Sequence, residues 1–347
     1  MKKVIFISAL AIAAAASCTK SEIVDTKFNE QISFETYAGR DAMTKGSTVE
    51  REDLTAVKVY GYYTGIEDWS TTAQIAPNLW PSGLTLNLTP DAVTQPTGDD
   101  VRYWANDTDH YTFLSYGPID NPNLAAPTAL DNPVLTYTVD TDFQKHVDVL
   151  RATPIINKDK TELNKTVALN FKHTLSRVNV KATLNAAEPF EYHIKSIKIS
   201  GKFNTKGTLS LADESAWVVA EADYKNATYT FYENDSDATD ETATPLEEGT
   251  TDYSAVPQGA QYENYMMMIP TVFDETNKAT LEVVYYTYAG GVQSRDYVVT
   301  YPITKPFVVG NAYTYILAFE QNTDMINFSV QVEPWAPVTP DKTIDAN

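Results

Sequence analysis

The sequence predicts an all-β protein, and three observations carry the prediction. Short segments in which apolar and polar residues alternate recur from residue 57 to residue 333, which is the period of a half-buried strand. The chain holds 22 tyrosines and 13 phenylalanines beside many valines and threonines, residue types that suit a pleated surface. No segment shows the apolar recurrence of an amphipathic helix. Clean alternation points to sandwiches with one face of each sheet in water. Removing a leader leaves roughly 330 residues, more than one core usually serves, so two domains are expected.

Residues 1–17 are not part of the fold. Lys2 and Lys3 precede the apolar run VIFISALAIAAAA, which small residues close at AASCTK. This is a secretory signal, too short for a permanent membrane span. Cys18 is the chain's single cysteine, so an internal disulfide is excluded. The thiol is either incidental or the acceptor of a lipid after cleavage before Cys18. The signal favours lipidation, with Ala15 standing where such signals more often carry leucine. Several acyl chains on one cysteine would hold the protein to a membrane, at about 0.8 kcal/mol per buried CH₂.

Loss of Lys2 and Lys3 takes the formal charge from -20 to -22. So acidic a chain lacks the basic face that nucleic acid or an anionic lipid surface requires. The stretch QISFETYAGRDAMTKG (31–46) then places a strand-like run, Ile32 and Phe34, before a loop of small residues around Arg40. Arg40 is either a solvated loop residue or a place where the chain is cut.

The strand candidates follow in order: VKVYGYY, HYTFLSYG, PVLTYTV, TVALNF, RVNVKATL, HIKSIKISG, ATYTFYE, ATLEVVYYTY, DYVVTYPI, AYTYILAF and INFSVQVE. Gly290-Gly291 joins two of them as a hairpin. Residues 89–100 and 117–133 are proline-bearing loops, and the acidic stretch 233–252 is solvated and mobile. The stretch 152–165 separates two strand-rich halves and divides the mature chain into 18–165 and 166–347.

The search for chemistry finds no enzyme. His110, His146, His173 and His193 have none of the close spacings of a zinc site, and no cysteine remains as ligand or nucleophile. Nucleophile elbows, phosphate loops and dinucleotide fingerprints are absent, so no cofactor or metal is implied. DSDATDE, from Asp235, lacks the glycine and glutamate of a calcium loop, and NDTDH (106–110) shares that weakness. Trp69 and Trp80, if exposed, could stack on sugar rings. Packing is the plainer reading of both, and a monomeric surface glycan-binding lipoprotein is the alternative function they would support.

The terminal strands carry more. Ile326, Phe328, Val330 and Val332 fall on one face of the last strand, and Asn327, Ser329, Gln331 and Glu333 on the other. Phe28, Ile32 and Phe34 share a face near the N-terminus. Each strand either closes its own sheet or is exchanged between subunits. Burying four apolar side chains supplies roughly 6–12 kcal/mol before ordering costs, and a strand added to a neighbour's sheet edge is a known mode of recognition. Head-to-tail contacts of this kind propagate.

Six blocks in order, RYWANDTDHYTFLSYGP (102–118), VDVLRATP (147–154), VALNFKHTLSRVNVKA (167–182), MMMIPT (266–271), VVGNAYTYIL (308–317) and VQVEPW (330–335), resemble the fimbrillins, lipoprotein-derived pilins of Gram-negative gut and oral bacteria. The resemblance implies two transthyretin-like β-sandwich domains in tandem and export to the outer membrane surface as a lipoprotein. It also implies that a trypsin-like protease removes the first strand, and that a strand of another fimbrillin subunit fills the gap. Carried onto this chain, lipidation falls at Cys18 and cleavage at Arg40, with Lys45 and Arg51 as fallbacks. The donor strand would include Ile326, Phe328, Val330, Val332 and Trp335. Host or bacterial surface ligands are further partners it would allow. One departure is the short tail APVTPDKTIDAN after Trp335, where a long donor extension is not evident.

Overall fold

The computed structural model describes residues 30–37, 54–70, 75–89, 92–160, 166–184, 190–234, 246, 248–253, 265–274, 276–289, 292–319 and 326–335. Regular structure among these residues is β-strand, with three single-turn 3₁₀ segments. None of them forms a helix long and apolar enough to cross a membrane.

The chain runs β1 (Ser33–Tyr37), β2 (Ala56–Gly65), β3 (Leu84–Thr89), β4 (Ala92–Val93), β5 (His110–Gly117), β6 (Leu124–Ala125), β7 (Val134–Thr138), β8 (Leu150–Ala152), β9 (Ile155–Lys158) and β10 (Thr166–His173). It continues through β11 (Ser176–Leu184), β12 (Phe190–Asn204), β13 (Lys206–Ser210), β14 (Tyr224–Glu233), β15 (Gly249–Asp252), β16 (Met266–Met268), β17 (Ala279–Ala289), β18 (Val292–Ile303), β19 (Asn311–Phe319) and β20 (Ile326–Pro334). Every strand expected from alternation is present, within a few residues. Alternation of LTLNLT in β3 is equally clean, buried and exposed in turn. The hairpin around Gly290-Gly291 has its flanking strands paired up to Ala289 against Val292, with the two glycines outside the described residues. Residues 235–245 and 247 of the acidic stretch are likewise outside them.

One sheet has the order β1-β10-β8-β5-β2-β3-β4, with β9 added to β5. Its inward residues, among them Ile32, Phe34, Val57, Val59, Leu86, Trp104, Phe113, Leu169 and Phe171, form one core. The remaining sheets are β15-β11-β19-β20 (with β16 on β11), β14-β12-β17-β18 and β13-β7-β6. A second, larger core is shared between these sheets and β2 and β5 of the first, built on residues such as Tyr60, Tyr62, Leu114, Val178, Ile197, Leu281 and Leu317. β10 follows the 152–165 segment in sequence but hydrogen-bonds in the first sheet, to β8 and β1. Within 152–165 itself, Ile155 of β9 pairs with Phe113 of β5. Apolar alternation (Val167, Leu169, Phe171) specifies which face β10 buries and leaves its neighbours unspecified.

Candidate functional site

The feature that organises the first sheet is the seat of β1. This strand is laid parallel to β10, with Ser33 opposite Thr166 and Tyr37 opposite Asn170. The contact joins positions 133 residues apart, and the Ser33 and Thr166 hydroxyls lie 3.2 Å from each other. Parallel neighbours require long connections, so adjacency of this kind leaves no local mark.

Alternation does explain how β1 sits. Ile32, Phe34 and Thr36 point inward and are buried. The Phe34 ring lies 5.9 Å from both Trp80 and Phe113, tilted on the first and edge-on to the second. Trp80 can lie over β2 because Gly61 has no side chain; a Cβ there would come within 2.7 Å of the indole. The indole N–H donates to the Asp100 carbonyl at 2.9 Å, which fixes the ring.

Among the described residues, no strand pairs with the other edge of β1. Gln95 takes that place: its Nε2 donates to the Phe34 carbonyl at 2.7 Å, and the Phe34 N–H donates to its Oε1 at 2.8 Å. One side chain thus offers the donor and acceptor that a neighbouring backbone would offer. Upstream, the Ile32 N–H donates to Arg102 O at 2.8 Å, the Trp104 N–H to Glu30 O at 3.1 Å, and Gln31 Nε2 to Pro96 O at 2.8 Å. Arg102 is itself held by its Nε–H to Leu79 O and its Nη1–H to Asp99 O, both at 2.7 Å. Lys160 Nζ sits 3.4 Å from Glu30 and 3.6 Å from Asp107. Two fully buried side chains, Ile32 and Phe34, are worth roughly 3–6 kcal/mol to this seat. Its chemistry is therefore that of holding an extended strand by its backbone and alternate side chains.

The C-terminal strand lies at an edge of the second group of sheets. β20 pairs antiparallel with β19 along nine residues, from Asn311–Pro334 to Phe319–Ile326. Ile326 is buried; Phe328, Val330 and Val332 are half-buried against the larger core. Phe328 stacks on Tyr301 and Tyr315 at 4.4 and 5.6 Å. Trp335 is buried beyond the strand end, stacked on His173 at 3.9 Å, with the Arg177 guanidinium 5.6 Å from its ring. His173 Nδ1 is 2.6 Å from the Asp148 carboxylate, so this histidine both packs and hydrogen-bonds, as its place in a strand pattern suggests. β10 therefore holds β1 along Thr166–Asn170 and, at His173, the Trp335 that follows β20.

Cys18, Arg40, Lys45, Arg51 and Phe28 lie outside the described residues. Trp69 and Trp80 do not have the exposed faces that sugar stacking needs; both are buried, Trp69 against Tyr62 at 5.1 Å. Packing, the plainer of the two expectations, is what the fold shows, since each indole fills a gap beside β2. No group of three or more His, Cys, Asp or Glu is placed to hold a metal among the described residues. Sequence reading missed Gln95, which stood in a proline-bearing loop with no pattern to mark it. The buried-exposed alternation of β3 was the one signal that a sheet continued nearby.

Comparison with known proteins agrees with this architecture. Residues 43–335 match a family described as fimbrillin-like. A fimbrial protein from Bacteroides vulgatus superposes with a TM-score of 0.62 at 16% identity, over 89% of this chain and 100% of that one. Candidate cell adhesion proteins from Bacteroides ovatus (TM-score 0.48, 12% identity, 88% and 97% covered) and Bacteroides uniformis (0.47, 14%, 88% and 98%) are more distant. No curated protein matches. With the greater part of its length matched, this chain belongs to the fimbrillin-like family.

Proposed function

We propose that the chain is a structural and adhesive subunit of a cell-surface fimbria, without catalytic activity. It is exported as a lipoprotein, lipidated at Cys18, and carried to the outer membrane surface. A trypsin-like protease then cuts after Arg40, with Lys45 and Arg51 as the other basic residues of that stretch, and β1 leaves. Residues 326–335 of another subunit fill the vacated seat, and the contact repeats along the fibre. The division of the mature chain into units 18–165 and 166–347 belongs to the same proposal. The smaller core lies mostly in the first unit, while the larger draws on both, with Tyr60, Tyr62, Leu114 and Tyr137 beside Val178 and Leu317, and β10 crosses the boundary.

The observation that carries the reading is the position of β1. It is a sheet-edge strand whose removal would bare one flank of β10 and the pocket of Ile32 and Phe34, and it ends three residues before Arg40. An open edge beside an apolar pocket is costly and invites a replacement strand. The glycan-binding alternative has lost the exposed tryptophans that motivated it. Brief treatment of the exported protein with a trypsin-like protease tests the proposal. The expected result is a ladder of oligomers resistant to mild denaturation, abolished by deleting residues 326–335. Monomers alone, with fibres unaffected by the deletion in cells, would refute it.

A further inference from the structure

The seat of β1 holds its strand through two features of unlike kind. Gln95 grips only backbone, so any extended segment can satisfy it. The pockets of Ile32 and Phe34, by contrast, ask for a branched aliphatic residue and, two positions on, an aromatic ring. Ile-x-Phe occurs twice in the whole chain: at Ile32–Phe34 and at Ile326–Phe328. The likeness extends beyond the triplet. Ser33 and Glu35 face outward where Asn327 and Ser329 would, and Thr36, buried in β1, corresponds to Val330, an isosteric side chain with an added methyl in place of the hydroxyl. In β20 the same residues, Ile326, Phe328 and Val330, already form the inward face.

Building on the proposed strand exchange, we infer its register and direction. Residues 326–330 of a second copy enter the seat parallel to β10, Ile326 in the pocket of Ile32 and Phe328 in that of Phe34. Gln95 then clamps the Phe328 backbone as it clamps that of Phe34. The clamp makes Gln95 a positioning residue: it fixes where along the seat an incoming strand stops, while the two pockets select which strand it is. Slipping by one residue would turn Ile326 and Phe328 outward. Slipping by two would put the larger ring where Ile32 sits.

Engineered cysteines in the full chain read this register. Ser33 lies opposite Thr166 with side chains in contact, so Asn327 takes the place opposite Thr166 of the next copy. Thr166→Cys with Asn327→Cys, exported and protease-treated under mild diamide oxidation, is expected to give intermolecular disulfide ladders on non-reducing gels. Two offset pairs serve as comparisons: Thr166→Cys with Ser329→Cys, for a two-residue slip or for residues 326–330 laid antiparallel, and Thr166→Cys with Gln331→Cys, for a four-residue slip. Each should link about tenfold less, because a disulfide tolerates Cα separations only up to about 7 Å. The single variants account for Cys18. Gln95→Leu should let assembled oligomers dissociate roughly tenfold faster, as expected for two lost hydrogen bonds, with Gln95→Asn intermediate. Oligomers that form normally but link through an offset pair, or are indifferent to Gln95→Leu, overturn the register and leave the fimbrial reading standing. Absence of any protease-dependent oligomer overturns both.

Discussion

Phe34→Ala separates a removable strand from an ordinary one. Phe34 is 2% exposed and its ring bridges Trp80 and Phe113 at 5.9 Å. Removing a buried phenylalanine ring costs about 3–5 kcal/mol. β1 is an edge strand that can relax, so about 3 kcal/mol is the expected loss, or roughly a hundredfold in the population of the opened edge. Hydrogen exchange on the uncut chain is the assay, because it resolves local opening from global unfolding. The amides of 33–37, and those of β10 that they protect, should exchange roughly a hundredfold faster. Subunits already assembled after protease treatment should show no change, since Phe34 is no longer in the fibre. An effect below about 1 kcal/mol would mean that the pocket does not hold β1. An equal effect in assembled fibres would mean that β1 never leaves. Either result refutes the reasoning.

Further predictions concern the anchor of β20, the core and the floor of the seat. Trp335→Ala removes the stack on His173 and should cost about 3 kcal/mol, read as faster exchange across 326–334 with β12 and β17 unaffected. His146 is held neutral: its Nδ1 accepts from the Met267 N–H at 3.0 Å, its Nε2 faces the Asp140 carbonyl at 2.7 Å, and burial lowers its pKa from 6.5 to about 4. The unfolded chain takes up this proton near pH 6.5 and the folded chain only near 4. Stability present above pH 6.5 is therefore lost on acidification, by on the order of 3 kcal/mol over that window, and His146→Gln should flatten the slope in urea titrations. Gly61→Ala drives a methyl against Trp80 and should cost about 1–3 kcal/mol, seen as a lowered unfolding midpoint.

Strand content was legible in the sequence because many strands bury one face, as INFSVQVE displays directly. By contrast, β2 and β5 are buried on both faces, against the expectation of one face of each sheet in water. Faces do not name neighbours, however. Nothing in QISFET or TVALNF says that the two lie side by side, since parallel pairing across 133 residues leaves no local mark. The 152–165 stretch reads as a linker because ATPIINKDK is short on alternation, yet Ile155 finds Phe113. Gln95 was invisible for a different reason. Its role is to imitate backbone, and a backbone-like contact places no demand on the residues around it. Trp69 and Trp80 take the packing role that was the plainer reading of both, closing the sides of β2. Those alternation rules that identified the strands also revealed Ile326 and Phe328 as a second copy of the β1 pattern, once the depth of the Ile32 and Phe34 pockets was known.

On the proposed exchange, β1 completes the fold during export and is absent from the fibre. N-terminal sequencing of subunits from purified surface fibres reads this out. The expected chains begin at Asp41, or at Gly46 or Glu52 if Lys45 or Arg51 is the residue cut. Fibre subunits that still begin at a lipidated Cys18 and carry residues 33–37 would contradict it.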